Sequence, residues 1–181
     1  MSALRRIARA MARFCGARDG AAAVEFAMVA TPFCLLTMGL AEVAFVGFAQ
    51  TNLDGAVADT ARLIRTGQVQ TQNLSFDQVK ASLCNDMKSI MPIDCANLSL
   101  DVETFPSFVD VTTNSPIQNN NFSNAGFGFN PGTPASIVVV RAYYNWQIIT
   151  PLMQPLLQNT SNSRVLASTM MFRNEPYTAG P

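Results

Sequence analysis

Histidine is absent from the 181 residues, so neither acid–base chemistry on imidazole nor an imidazole-ligated metal is open to this chain. The other groups that could do chemistry are few. Glu25 and Glu42 interrupt an otherwise apolar N-terminal stretch. Asp101 and Glu103 lie two apart in LSLDVETF, where strand alternation puts both on one face. They read as solvated edge groups rather than an acid–base pair. Cys15, Cys34, Cys84 and Cys95 are the thiols, and without histidine they make a poor zinc site. The glycines of GFGFNPG (126–132) suggest a phosphate loop, but no Gly-Lys-Ser/Thr follows and no helix opens there. With no nucleophile motif and no metal cluster, the reading is a structural protein, not an enzyme, with no cofactor and no metal.

Such groups act only where the chain puts them, and charge fixes the N-terminal half. Residues 1–20 carry Arg5, Arg6, Arg9, Arg13 and Arg18 against Asp19 alone. Of twelve basic and twelve acidic residues this leaves seven and eleven for the rest. A basic excess confined to a short leader argues against nucleic acid as a partner. From Gly20 the chain turns apolar, with sixteen uncharged residues between Glu25 and Glu42 and a further apolar run to Ala49. As one helix, Val24–Ala49 spans about 39 Å, enough to cross a bilayer core. The arginines place the N-terminus in the cytoplasm and the bulk of the chain on the export side. A carboxylate in hydrocarbon costs on the order of 3 kcal/mol or more. Glu25 falls near the inner boundary. Glu42, about 25 Å further along, falls near the outer one, where solvation at the interface is its expected state. Pro32 should bend or loosen a turn, which membrane helices tolerate.

Beyond the membrane, Leu53, Val57, Ala61 and Ile64 recur at helical spacing. Asp59 and Arg62, three apart, are placed to pair. Gly55 is a weak point, and Gly67 a C-terminal stop after Arg65. Ser75 and Gln78 predict a capping box opening a second helix, with Val79, Leu83 and Met87 on its apolar face and Pro92 ending it. Leu98, Leu100 and Val102 mark a half-buried strand. SIVVVRAYYNW reads as a central strand and RVLASTMMFR (164–173) as a third. Residues 112–135 read as loop. Residues 147–162 form an apolar, proline-broken connection whose exposed part is suited to membrane or partner subunits.

The junction Arg18-Asp19-Gly20-Ala21-Ala22-Ala23-Val24-Glu25-Phe26 is the informative stretch. It resembles a class III (prepilin-type) leader: basic residues, a terminal Gly, a small residue, and Glu at the fifth position after the Gly. Glu25-Phe26 is similar to the Tad (tight adherence, Flp) pilus system rather than to type IVa pilins, whose mature chains usually begin with Phe. GAAAVEFAMVATPF, LDGAVADTARLIRTGQ and FRNEPY together resemble the TadE-like family of minor pilins or pseudopilins. The resemblance is dense over 16–68 and 164–177. In between the chain is family-like only in length and in its two cysteines. The major Tad pilin pattern is a very short chain, from which this one departs, favouring a minor subunit.

The resemblance implies cleavage by a prepilin peptidase after Gly20, a mature chain starting at Ala21, and a register-setting role for Glu25 and Phe26, with Glu25 pairing with the new α-amine of a neighbour. Implied partners are other pilin subunits, the prepilin peptidase, an inner-membrane pilus assembly platform and membrane lipid. The implied location is the bacterial inner membrane, single-pass, with the domain periplasmic and the subunit available to a surface adhesion pilus. Cys84 and Cys95 then share the oxidising side, where a disulfide is the preferred state. The fold expectation is α+β. A leader (1–20) precedes a transmembrane helix with its extension (21–67), a helix of about 46 residues. It leads into a domain (68–181) with a three- to four-stranded antiparallel sheet and a short second helix. Competing readings are a discarded signal peptide, an uncleaved anchor carrying a structural or enzymatic periplasmic domain, and a pseudopilin of a related secretion system.

Overall fold

The structure is a computed structural model, and it describes residues 20–112, 115–161 and 163–178. The arginine-rich leader and Cys15 lie outside these residues. The chain divides into two compact units, Met1–Leu40 and Ala41–Pro181, and the division falls within helix α1 (Ala21–Arg65, 45 residues).

In the first unit, α1 carries apolar side chains that face outward all round: Val24, Phe26, Met28, Val29, Phe33, Leu36, Met38 and Leu40 are all at least 60% exposed. A helix that is apolar on every face belongs in a non-aqueous surrounding. An 18-residue window of α1 reaches a mean hydropathy of 1.8, so the helix is long and apolar enough to cross a membrane. Pro32 does not end it. The Thr31 hydroxyl donates to the Ala27 carbonyl (2.7 Å) and Thr37 to that of Phe33 (3.0 Å), so both polar groups are satisfied within the helix.

In the second unit the same helix becomes one-sided. Val46, Ala49, Leu53, Ala56, Val57, Ala61 and Ile64 are buried, at the three- and four-residue steps of a packed stripe. α1 stops at Arg65, and Gly67 follows in the left-handed region (φ 76°). A short turn, α2 (Gln68–Thr71), leads to α3 (Phe76–Ile90). The expected capping box is present: Ser75 Oγ accepts from Gln78 N–H and Gln78 Oε1 accepts from Ser75 N–H. Val79, Leu83 and Met87 are buried as the spacing predicts.

Three antiparallel strands follow: β1 (Leu98–Phe105), β4 (Ile137–Gln147) and β5 (Ser163–Arg173), ordered β1-β4-β5. β4 is central because β-branched and aromatic residues fill both of its faces. Val138, Val140, Ala142 and Tyr144 join Leu98, Leu100, Val102 and Leu166 in one core with α1 and α3. The opposite face of β4 is buried too, and 112–135 is therefore more than a loop. It contains a small hairpin, β2 (Ile117–Gln118) and β3 (Asn121–Phe122). Phe122 and Phe127 pack on Tyr143 with ring centroids 5.8 and 5.3 Å away. The 147–162 connection holds a 3-10 turn (Pro151–Met153) that runs into a short helix, α4 (Gln154–Leu157). The architecture is α+β, a long N-terminal helix followed by a small domain with a three-stranded antiparallel sheet.

Candidate processing and assembly site

Gly20 is exposed and immediately precedes the first residue of α1, Ala21. Among the described residues, a side chain at position 20 would meet nothing within 4 Å beyond its chain neighbours, and the backbone there is not left-handed. The described residues thus make no demand for glycine at this position. Ala21 and Glu25 are one turn apart on α1, hence on the same face. Glu25 and Phe26 are both exposed, Phe26 by 74%. Among the described residues no cation pairs with the Glu25 carboxylate, which also lies within a turn of the amine that a cut after Gly20 would create.

Glu42 differs from its expected state. It is 5% exposed rather than solvated, and its two oxygens accept the backbone N–H groups of Ile149 (Oε1, 2.6 Å) and Thr150 (Oε2, 2.9 Å). Charge-assisted bonds from two consecutive amides replace water around the carboxylate. Sequence offered one hint, an acid on the stripe that continues through Val46, Ala49 and Leu53. Its partners are more than a hundred residues away and carry no side-chain signal.

The second departure is at Asp101, expected with Glu103 to be solvated at a strand edge; the Glu103 side chain keeps 39% of its surface exposed. β1 is an edge strand, but Asp101 is 3% exposed. It stands opposite Arg141 in the ladder, and Arg141 Nη1 donates to Asp101 Oδ2 and Glu103 Oε2, both at 2.9 Å, while Nη2 donates to the Thr112 carbonyl (2.8 Å). Asp101 Oδ1 also accepts from Gly128 N–H (2.9 Å), and residues 128–130 bond along β1 through Val102, covering the edge. Burial alone would lower the Arg141 pKa, but hydrogen bonds and charge from Glu103 and Asp101 more than offset this and raise it. A polar cavity of about 390 Å³ opens over the cluster. Two carboxylates that hold a guanidinium are not a general acid and base. The overlooked signal is Arg141 itself, a lone charge inside SIVVVRAYYNW, which demands a buried partner.

Cys84 and Cys95 form a disulfide, with Cα atoms 5.8 Å apart, joining α3 to the turn before β1. Cys34 is exposed on α1 with its thiol free. The expected Asp59–Arg62 pair is not found among the described residues. Asp59 instead acts on Asp86, whose pKa is raised by burial and then by this neighbouring charge. Among the described residues no cluster of three His, Cys, Asp or Glu could hold a metal ion.

Two of the stretches that carry the resemblance, more than a hundred residues apart in sequence, meet at the end of α1. Glu175 N–H donates to the Arg65 carbonyl (2.9 Å), its carboxylate pairs with Arg65 Nε (3.2 Å), and the Tyr177 ring covers Gly67. Asn174 ties the same strand end to the Pro131 and Thr133 carbonyls (2.9 and 3.1 Å). FRNEPY is thus the clasp on the stop of the helix that LDGAVADTARLIRTGQ forms.

These features define a class: a protein with a single N-terminal apolar helix, compatible with single-pass membrane anchoring, that leads into a small α+β domain. Residues 20–62 match the model of the family described as TadE-like protein, consistent with a Tad pilus component. The matched segment begins at Gly20 and lies otherwise within α1. No curated protein and no solved structure matches the chain.

Proposed function

We propose that this chain is a minor pilin or pseudopilin of a Tad-type adhesion pilus, a structural subunit rather than an enzyme. A prepilin peptidase hydrolyses the Gly20–Ala21 bond on the cytoplasmic side, α1 holds the subunit in the inner membrane, and the domain stands in the periplasm. The observation that carries this reading is the TadE-like match itself, which starts at the candidate cut site and includes Glu25. The exposure of Gly20 and the absence, among the described residues, of any packing reason for a glycine there support it. So does the all-round apolar surface of α1 through Leu40: these side chains suit lipid first and neighbouring pilin helices later. In a bundle of such helices, Glu25 of one subunit pairs with the Ala21 amine of the next and sets axial register, with Phe26 beside it. The remaining partners are then the assembly platform of the inner membrane and the other pilins.

N-terminal sequencing of the chain recovered from membranes tests this reading, in cells with and without the peptidase. A start at Ala21 only when the peptidase is present is the expected result. A start at Met1 or Ser2 in both strains overturns it.

A further inference from the structure

In the second unit, an uncharged groove of about 360 Å³ lies beside α1, walled by Phe45, Phe48, Ile90, Pro92, Trp146 and Ile149. Its rim is unusually exposed for apolar residues: Ile149 by 81%, Ile90 by 61% and Phe45 by 58%. We propose that this groove is a lipid-contact surface that seats the export-side domain on the outer boundary of the bilayer hydrocarbon. The proposal rests on the reading of α1 as a membrane-spanning helix.

Three observations select lipid as the occupant. First, the groove is continuous with the spanning run. Phe45 and Phe48 belong to the apolar stretch that ends at Ala49. Counted along the helix from Glu25, Phe45 lies about 30 Å away, which is about the thickness of the hydrocarbon core. Whatever surrounds these two rings also surrounds Ile149 and Ile90, which wall the same groove. Second, two consecutive amides of the irregular connector are met within the chain: the Ile149 and Thr150 N–H groups both end on Glu42. Internal satisfaction of backbone donors is what a non-helical segment requires at low water activity. Third, no charged side chain lines the groove, and its one indole suits the zone where hydrocarbon gives way to headgroups.

Trp146 is the chain's single tryptophan, so fluorescence excited beyond the absorption of the three tyrosines reads this groove alone. The full-length protein is placed in phosphatidylcholine–phosphatidylglycerol vesicles whose acyl chains carry bromine either near the headgroup or near the chain end. The expected result is strong quenching by the shallow bromines, less by the deep ones, and little by aqueous iodide. Ile149→Asp, a change at an exposed position, cuts the shallow quenching to less than about half. Quenching by iodide with none by brominated lipid overturns the proposal in favour of an open, wet groove. Emission that follows the protein-to-lipid ratio rather than the bromine overturns it in favour of a second copy of the chain. Extraction of the protein from the vesicles by alkaline carbonate is scored separately. It tests whether α1 spans at all, and retention with an unquenched Trp146 sinks the lipid surface alone.

Discussion

The Tyr177 ring lies against the Cα of Gly67, close enough that a Cβ on Gly67 would overlap ring atoms, and Gly67 itself is left-handed at φ 76°. The ring's hydroxyl reaches the Gly132 carbonyl at 3.3 Å. Helix stop, C-terminal stretch and the loop before β4 are thus closed by one residue with no side chain.

Gly67→Ala meets both obstacles, an unfavourable backbone region and a steric overlap, and should cost more than about 1 kcal/mol. Gly55→Ala is the contrasting change. Gly55 lies inside α1 and a Cβ there meets nothing within 4 Å, so alanine should stabilise by about 0.5–1 kcal/mol. Urea unfolding of the two variants in detergent, followed by circular dichroism, should move the midpoint in opposite directions.

Arg141→Leu leaves Asp101 buried without its cation. The expected loss is about 3–5 kcal/mol. Adding Asp101→Asn removes the stranded charge, so the double variant should recover part of that loss. A double variant less stable than Arg141→Leu alone would show that the carboxylate is held by Gly128 and not by the guanidinium.

The sequence made much of this architecture legible and left specific parts obscure. Ser75 and Gln78 announced the start of α3 because a capping box is local. Val79, Leu83 and Met87 gave its buried face for the same reason. SIVVVRAYYNW declared itself central by composition. Glu42 and Asp101 were misplaced because their partners come from distant segments: two backbone amides in one case and a cross-strand arginine in the other. An acid reads as solvated until its partner is known. The 112–135 segment was legible as loop-forming but not as the cover of the second face of β4, since Phe122 and Phe127 are single aromatics without periodicity. In the candidate site, the Gly20–Phe26 spacing was readable because it is contiguous.

Burial, and secondarily the Asp59 carboxylate, hold the Asp86 pKa above its ordinary value of 3.8. The native state therefore favours protonated Asp86 more than the unfolded state does. This contribution to stability is fully present below the ordinary value and is lost as pH rises through the folded value. Asp86→Asn should raise the unfolding midpoint at neutral pH and leave it unchanged in acid below the ordinary carboxylate range. A variant with the same gain at both pH values would rule out ionisation as the cause.

Reduction of Cys84–Cys95 releases α3 from β1 at a sequence separation of eleven. For a loop of this size the expected loss is about 2–3 kcal/mol. The Cys84→Ser/Cys95→Ser variant should show it as a lower melting temperature that added reductant does not change further, whereas reductant should lower that of the wild-type chain.

Glu42 supplies the sharpest test of the connector, because its two bonds can be removed one at a time. Each oxygen takes one amide, Ile149 and Thr150 respectively. Glu42→Gln keeps one acceptor and turns an NH₂ group toward the other amide, so one bond is lost and one like-for-like donor contact is created. Glu42→Ala removes both acceptors and leaves two donors to find others. Unsatisfied donors of this kind cost about 1–3 kcal/mol each. Hydrogen exchange resolved to single amides should therefore show one of Ile149 and Thr150 deprotected in Glu42→Gln and both deprotected in Glu42→Ala. The Val138, Val140 and Ala142 amides in the sheet should keep their wild-type protection. Unchanged exchange at 149 and 150 in Glu42→Ala would mean that the connector is held by packing of Ile148, which is 7% exposed, and that the carboxylate is a passenger. Deprotection confined to the connector would instead identify Glu42 as the group that fixes Ile149 beside Phe45 and Phe48.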